Sequence, residues 1–443
     1  MLSLFADLEA RGIVKQITSP QLSQRLAAQP ITLYAGFDPT SDALHVGSLL
    51  PLLTLRRFQM AGHRPIAVVG GATGMIGDPS GKSQERNLLT DEQIQKNVEG
   101  IRSVISKFLD MTGPNAATIV NNSDWFRTLS FIHFLRDIGK HFTVNHMVAK
   151  ESVRARLEDR EHGISYTEFS YMLLQAYDFH HLHETQKCEL QIGGSDQWGN
   201  ITAGIELIRR IRVAKDPEAA QAAGLDADHA PEVFGLTHPL VSKADGTKFG
   251  KTESGTIWLD PKKTSPYRFY QFFIQTSDAD VMTYLKFFTF LSHDQLREIE
   301  ASLQISPEKR TAQTILAQEL TRLVHGEVEL KKAEKATHAL FGESIRELDE
   351  TTLMDVLSGA PSTLKSMSSL ADTSALALLD LLVETQLCPS KGQARKDVQA
   401  GGIYLNNERV TDAILNIQPL HLLADRYVVL RKGKKNYHWV KFQ

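Results

Sequence analysis

Apolar positions in the first part of the chain fall into two alternating arrangements. A β-favouring run from Ile31 to Phe37 predicts a buried strand, and Asp38-Pro39 ends it because proline has no N–H to give to a ladder. Leu49, Leu50, Leu52, Leu53, Leu55 and Phe58 then recur at helical spacing up to Gly62. Pro51 fits the first turn of that helix, where an N–H has no internal partner. A second apolar run over 64–70 predicts another buried strand. Strand, helix and strand in this length make a βαβ unit, so the expected fold class is α/β with a doubly wound parallel sheet. Ligands would bind at the carboxyl ends of its strands.

The pattern continues with a helix over 91–110, a short strand over 118–120 closed by the turn 121–124, and an amphipathic, aromatic-rich stretch over 131–149. The most informative segment is the predicted helix 167–179. It is apolar nearly all round, with Met172, Leu173, Leu174, Ala176, Tyr177 and Phe179, and a helix of that kind is buried. Tyr171, Gln175 and Asp178 stand at i, i+4 and i+7, on one face. A polar seam inside the protein must be satisfied by an internal network or by a ligand. A strand over 187–192 precedes Gly193, Gly194, Asp196 and Gln197 and a helix over 201–211. Glycines at a strand's carboxyl end with Asp and Gln beyond them suit a ribose and a polar substrate. Residues 214–232 read as a variable surface loop, 265–340 as helical throughout, and 345–370, rich in Ser and Thr, as a linker. In the last part an apolar helix stops at Cys388-Pro389. Ser390 then caps a basic helix over 391–400, followed by a strand at 403–405, a turn at 406–407 and a hairpin around 431–435.

Composition narrows the class without deciding it. The 443 residues, 42% hydrophobic and 23% charged, are ordinary for a folded chain of two or three domains. No apolar run approaches the roughly 18 residues of a membrane span, and the N-terminus, with Asp7 and Glu9, lacks a signal-peptide layout. Two distant cysteines, Cys188 and Cys388, give neither a disulfide framework nor a zinc site, which leads to the expectation of a cytoplasmic protein with no protein-held metal. Net charge is −3, but residues 389–443 carry ten Lys/Arg against four Asp/Glu, a local +6 that leaves −9 for the rest. Such asymmetry points to an RNA- or membrane-facing tail. The glycine-rich loop 70–83 fits neither the dinucleotide fingerprint nor a Walker loop, since its glycines are wrongly spaced for both. It does gather Asp78, Lys82 and Arg86.

Two short stretches then carry the chemistry. His45-Val46-Gly47-Ser48 lies between the first strand and its helix, and a strand leading into a helix N-terminus builds an anion site. Lys248-Phe249-Gly250-Lys251-Thr252 brings two lysines in a Gly- and Thr-rich loop. The pair resembles the His-Ile-Gly-His and Lys-Met-Ser-Lys-Ser signatures of class I aminoacyl-tRNA synthetases. With Tyr34 to Thr40 and Tyr171 to Asp178, nearly the whole chain resembles the bacterial tyrosyl-tRNA synthetase family. The resemblance implies a Rossmann-like catalytic domain over 1–264, an all-α domain contacting the tRNA anticodon region over 265–344, a linker over 345–376, and a small α+β domain of S4 type, binding RNA, over 377–443.

The resemblance also implies roles. Thr40, His45, Lys82, Arg86, Lys248 and Lys251 would stabilise the leaving pyrophosphate. Tyr34 and Asp178 would bind the phenolic hydroxyl of tyrosine, and Asp78, Tyr171 and Gln175 its ammonium group, with Gln191 and Gln197 nearby. Asp38, Gly47, Ser48, Gly194, Asp196 and Lys251 would hold ATP, which brings Mg²⁺ on its own phosphates. Lys391, Arg395, Lys396, Arg409, Arg431, Lys432, Lys434 and Lys435 would face RNA. The partners implied are L-tyrosine, ATP and tRNA(Tyr), with a homodimer, built on 131–149 and Tyr166, whose tRNA contacts both protomers. Tyrosyl enzymes are themselves the standing example of rejecting phenylalanine without editing, and no editing domain is expected. Two departures stand out: Ser48 replaces the second signature histidine, and Phe249, Gly250 and Thr252 replace Met, Ser and Ser. Alternatives are a nucleotidylyltransferase, which has no use for the basic tail; a tryptophanyl relative, which has none for Tyr34 and Asp178; and an RNA-binding protein with a silent synthetase fold.

Overall fold

The computed structural model describes residues 2–80, 89–150, 153–154, 163–215, 233–247, 249–252, 255–340, 345–358, 360–370, 376–433 and 436–443. These fall into two compact units, one of residues 1–263 with 277–312, the other of 264–276 with 313–443.

The first unit is built on six strands: β1 (Gln16–Ile17), β2 (Thr32–Phe37), β3 (Arg64–Val69), β4 (Thr118–Asn121), β5 (Cys188–Gly194) and β6 (Phe234–His238). Their order is β1-β6-β5-β2-β3-β4, with every pairing parallel except β1 with β6. The expected doubly wound sheet is present. Strand β6 escapes the apolar-run criterion because Gly235, Thr237 and His238 interrupt it, although all five of its residues are buried. Helix α1 (Leu49–Met60) buries most of its length and crosses from β2 to β3. Helix α2 (Tyr166–Gln186) is the predicted polar-seam helix, extended at both ends. The Ser165 side chain accepts from the Glu168 N–H to cap its start, and Lys187 in the left-handed region stops it. Its Phe179 packs into a cluster with Tyr34, Ile66, Val68 and Ile208, the last from α3 (Trp198–Lys215). Helix α3 runs past the predicted end at Ile211, and most of the expected loop 214–232 lies outside the described residues. The stretch 131–149 is not one helix but a run of short turns. It turns Phe134, Ile138 and Met147 into the core and leaves Phe131, Ile132 and Val144 exposed.

The helical stretch after 264 is divided between the units. Helices Asp278–Phe288 and His293–Ile305 belong with the sheet unit. Their junction is held by Arg11, whose guanidinium donates to the Leu291 carbonyl at 2.6 Å, and by Arg57, which donates to Thr289. In the second unit, helices Pro266–Ile274, Thr311–His325, Glu327–Leu340 and Glu350–Leu357 precede a five-stranded sheet. Its strands are β9 (Ser362–Lys365), β10 (Ile403–Leu405), β11 (Glu408–Arg409), β12 (Tyr427–Lys432) and β13 (Asn436–Phe442), in the order β11-β10-β12-β13-β9. The segment expected as a linker therefore supplies a helix and an edge strand. Strand β9 has backbone partners along β13, and Glu350 accepts from the Tyr427 hydroxyl at 2.8 Å. Serine and threonine content signals surface exposure there, not missing structure.

Candidate active site

The carboxyl ends of the central strands open onto a cavity of about 350 Å³. Strand β2 and its end bring Tyr34 and Asp38; the loop after β3 brings Asp78; α2 brings Tyr171, Gln175 and Asp178. From β5 and the turn beyond it come Gln191, Gly194, Asp196 and Gln197, and Gly47 stands at the start of α1. Residues scattered over more than 160 positions of sequence thus share one wall.

Three carboxylates organise the polar side of this cavity. Asp178 is buried, and its two oxygens accept from Trp125 Nε1 at 2.8 Å and Asn122 Nδ2 at 3.0 Å. Desolvation outweighs those two donors and pushes its carboxyl up to about 8. Asp38 accepts from Thr73 Oγ1 and from the Tyr171 hydroxyl, both at 2.8 Å. Asp78 accepts from the Ser80 N–H at 2.9 Å and from Gln197 Nε2 at 2.7 Å. Asn200 Nδ2 then joins the carbonyl oxygens of Gln197 and Gln175. The polar seam is therefore half satisfied from within. What remains is informative: the Tyr34 hydroxyl and Gln191 Oε1, both from residues of the cavity wall, are buried with no hydrogen-bond partner among the described residues. Such groups are costly unless a ligand completes them. Burial beside Asp178 holds the Tyr34 phenol well above its ordinary range, so it stays protonated.

The two short signatures meet through the backbone. The Val46 N–H donates to the Ile257 carbonyl and the Ile257 N–H to the Gly250 carbonyl, each at 3.0 Å. His45 bridges to Trp258, and the Leu259 N–H reaches the Leu44 carbonyl. Gly250 sits at φ +78°, and a Cβ there would lie 2.4 Å from Val46 Cγ2, so this departure from serine follows from the backbone. Phe249 is buried against Tyr284 and Phe288, with ring centroids 4.7 and 5.4 Å away, which pins the lysine loop to the core. Lys251 is exposed on β7 (Lys251–Thr252), paired with β8 (Gly255–Thr256). Thr40 and His45 are also exposed and lie outside the cavity wall. His45 Nδ1 accepts from the Gly47 N–H at 3.0 Å. Ser48 stands half-buried at the start of α1. Lys82, Arg86 and Lys248 lie outside the described residues.

In the second unit, helix Lys391–Gln399 starts at the Ser390 cap and exposes Lys391, Arg395 and Lys396. Lys391 pairs with Asp380, and Lys432 with Asp397 at 2.8 Å. Two expected RNA-facing arginines are engaged elsewhere. Arg431 is buried, lies 3.7 Å over the Tyr404 ring and bonds Asn407 and the Gly433 carbonyl. Arg409 donates to the Gly401 carbonyl at 2.8 Å and so closes the end of the basic helix. A count of basic residues does not distinguish a cation turned inward from one turned out. Lys434 and Lys435 lie outside the described residues.

Sequence reasoning missed Asn122 and Trp125, the donors that hold Asp178, together with Thr73, Asn200 and His238. Asn122 sat in a predicted turn, and nothing local tied it to a helix 56 positions away.

A model of class I tRNA synthetases for W and Y matches residues 26–342, and one of the tyrosine–tRNA ligase SYY-like C-terminal domain matches residues 359–440. The tyrosine–tRNA ligase of Opitutus terrae is 51% identical over 442 residues, covering 99% of this chain and all of its own. That of Geobacillus stearothermophilus is also 51% identical, over the full length of both. Among solved structures, a C-terminally truncated mitochondrial tyrosyl-tRNA synthetase of Coccidioides posadasii is 30% identical. It superposes with a TM-score of 0.66 over 76% of this chain and 92% of its own.

Proposed function

The chain belongs to the tyrosine–tRNA ligases of class I, which join tyrosine to tRNA(Tyr) using ATP, and from that premise we propose how its residues divide the work. Asp178 and Tyr34 take the phenolic hydroxyl of tyrosine. The observation that carries this is the unpartnered Tyr34 hydroxyl, buried in the same cavity as the Asp178 carboxylate. Asp78, Tyr171 and Gln175 take the ammonium group. The Tyr171 hydroxyl has given its hydrogen to Asp38, so toward a ligand its oxygen is an acceptor, as an ammonium requires. Gln191 and Gln197 bind nearby, while Asp38, Gly47, Ser48, Gly194 and Asp196 hold the nucleotide.

The tyrosine carboxylate attacks the α-phosphate of ATP, the bond to pyrophosphate breaks, and tyrosyl-adenylate forms. No covalent nucleophile is needed. The work is positioning two anions and stabilising the charge that grows on the leaving group. Thr40, His45, Lys82, Arg86, Lys248 and Lys251 supply that stabilisation, and the backbone link between 46, 250 and 257 supports His45 and Lys251 acting together. Mg²⁺ enters with the ATP phosphates.

Assembly as a homodimer is supported by the large apolar residues Phe131, Ile132, Val144 and Tyr166, each more than 60% exposed, since exposed apolar surface is what a subunit interface covers. A cytoplasmic location is supported by the bacterial relatives, whose substrates are cytoplasmic. The test is amino-acid-dependent ATP–pyrophosphate exchange without tRNA, run with each of the twenty amino acids. Exchange with tyrosine alone, lost in Asp178→Ala and Lys251→Ala, is the expected result. Unchanged tyrosine exchange in Asp178→Ala would remove Asp178 from the pocket.

A further inference from the structure

His238 ends β6, is buried, and lines the cavity. Across the sheet it pairs in register with Gly194 of β5, a neighbour with no side chain of its own. Tyr34, Gln191 and Gly235 are in register with one another. His238 comes three residues after Gly235, so strand alternation puts it on the opposite sheet face from Tyr34 and Gln191. Ile192, one residue beyond Gln191, shares the His238 face. Leu240 covers this corner, with its Cδ2 3.1 Å from where a Gly194 Cβ would stand. His238 thus belongs to the apolar side of the cavity, away from the tyrosine-binding seam.

The chemistry of the ring is defined by its neighbour. Nδ1 lies 3.3 Å from the Pro239 carbonyl oxygen. A carbonyl can only accept, so Nδ1 carries the hydrogen and Nε2 is left as an acceptor. Nε2 is buried with no partner among the described residues. Burial also depresses the imidazole to about 4, so the ring is neutral at pH 7 and Nε2 keeps its lone pair. A buried acceptor in an apolar corner of a ligand cavity calls for a donor on the ligand.

Tyrosine and ATP together offer few donors. The tyrosine ammonium and phenol belong with Asp78 and Asp178 on the other face, and the ribose hydroxyls have the Asp38 and Asp196 carboxylates. The 6-amino group of adenine remains. We propose that His238 reads the base of the nucleotide: its Nε2 accepts from the adenine 6-amino group and so selects adenine over guanine. Guanine carries an oxygen at that position and would meet Nε2 acceptor to acceptor. This assignment rests on the placement of the nucleotide along Gly194 and Asp196 proposed above.

Pyrophosphate exchange measured with ATP and with purine riboside 5′-triphosphate, which lacks only the 6-amino group, tests it. The natural protein should prefer ATP by about tenfold in kcat/KM, the effect of one buried hydrogen bond. His238→Leu should erase that preference by weakening ATP alone, with KM for tyrosine unmoved. Equal use of the two nucleotides by the natural protein would overturn the proposal, whatever the variant does. So would an equal loss with both nucleotides in His238→Leu, which is what a purely structural histidine gives. Asp196→Asn separates the premise from the inference. It should weaken both nucleotides alike, and no effect on either would overturn the nucleotide placement itself.

Discussion

Asp178 receives two neutral donors on one carboxylate, yet burial still raises its carboxyl from 3.8 to about 8. Between those values the folded protein holds a proton that the unfolded chain has released. Its contribution to stability is therefore fully present below pH 3.8 and is lost as pH rises through about 8. A phenol donating to Asp178 favours the ionised carboxylate, so tyrosine binding at pH 6.5 should expel a proton. Calorimetry in two buffers of different ionisation enthalpy reads this directly. Identical binding enthalpies in both would mean that Asp178 releases no proton on binding, and would overturn its ionisation by the phenol. Neither Asn122 nor Trp125 touches the argument from sequence, but both fix the direction in which this carboxylate points.

At the scale of elements, the decisive feature is the short backbone link between the helix start at 46–48 and the lysine loop. Each stretch alone is an ordinary turn; hydrogen bonds from 46 to 257 and from 257 to 250 make them one site. Gly250 is the hinge of that link, and its left-handed φ costs any other residue about 1–2 kcal/mol before the contact with Val46 is counted. Gly250→Ala should lower the rate of tyrosine activation by about tenfold or more, following that strain, with tyrosine affinity unchanged. Pre-steady-state formation of the adenylate, alongside equilibrium tyrosine binding, separates the two; equal loss in both would point to general unfolding. Phe249 plays the complementary part, since an aromatic wedged against Tyr284 and Phe288 holds one end of the loop in the core.

For the whole molecule, the proposed function assigns the two compact units separable tasks. Arg395→Ala with Lys396→Ala should weaken aminoacylation through a higher KM for tRNA and leave tyrosine-dependent exchange untouched, because both are exposed cations on one helix. Arg431→Ala should instead lower the thermal stability of the C-terminal unit, since its guanidinium bridges Tyr404, Asn407 and Gly433. A truncated cation of this kind leaves buried acceptors unpaired, at about 1–3 kcal/mol. Ile132→Glu should convert a dimer to a monomer by sedimentation equilibrium; an unchanged mass would place the subunit interface elsewhere.

The sequence by itself determined the parallel sheet, the buried seam helix and the two signatures, because each is written in local periodicity or in a short run of residue types. The C-terminal basic helix was legible for the same reason, down to its Ser390 cap. Tertiary structure alone decided which polar groups end up with partners. Asp178 is completed by residues from a different strand's turn, Arg431 is turned inward, and His238 is stranded with an open acceptor on a strand that pattern reading did not see. It also divided the helical stretch after 264 between two units and gave 362–365 to a sheet. The physical reason is range. Periodicity records what a residue needs from its immediate backbone, whereas burial and hydrogen-bond satisfaction depend on chain segments far away in sequence.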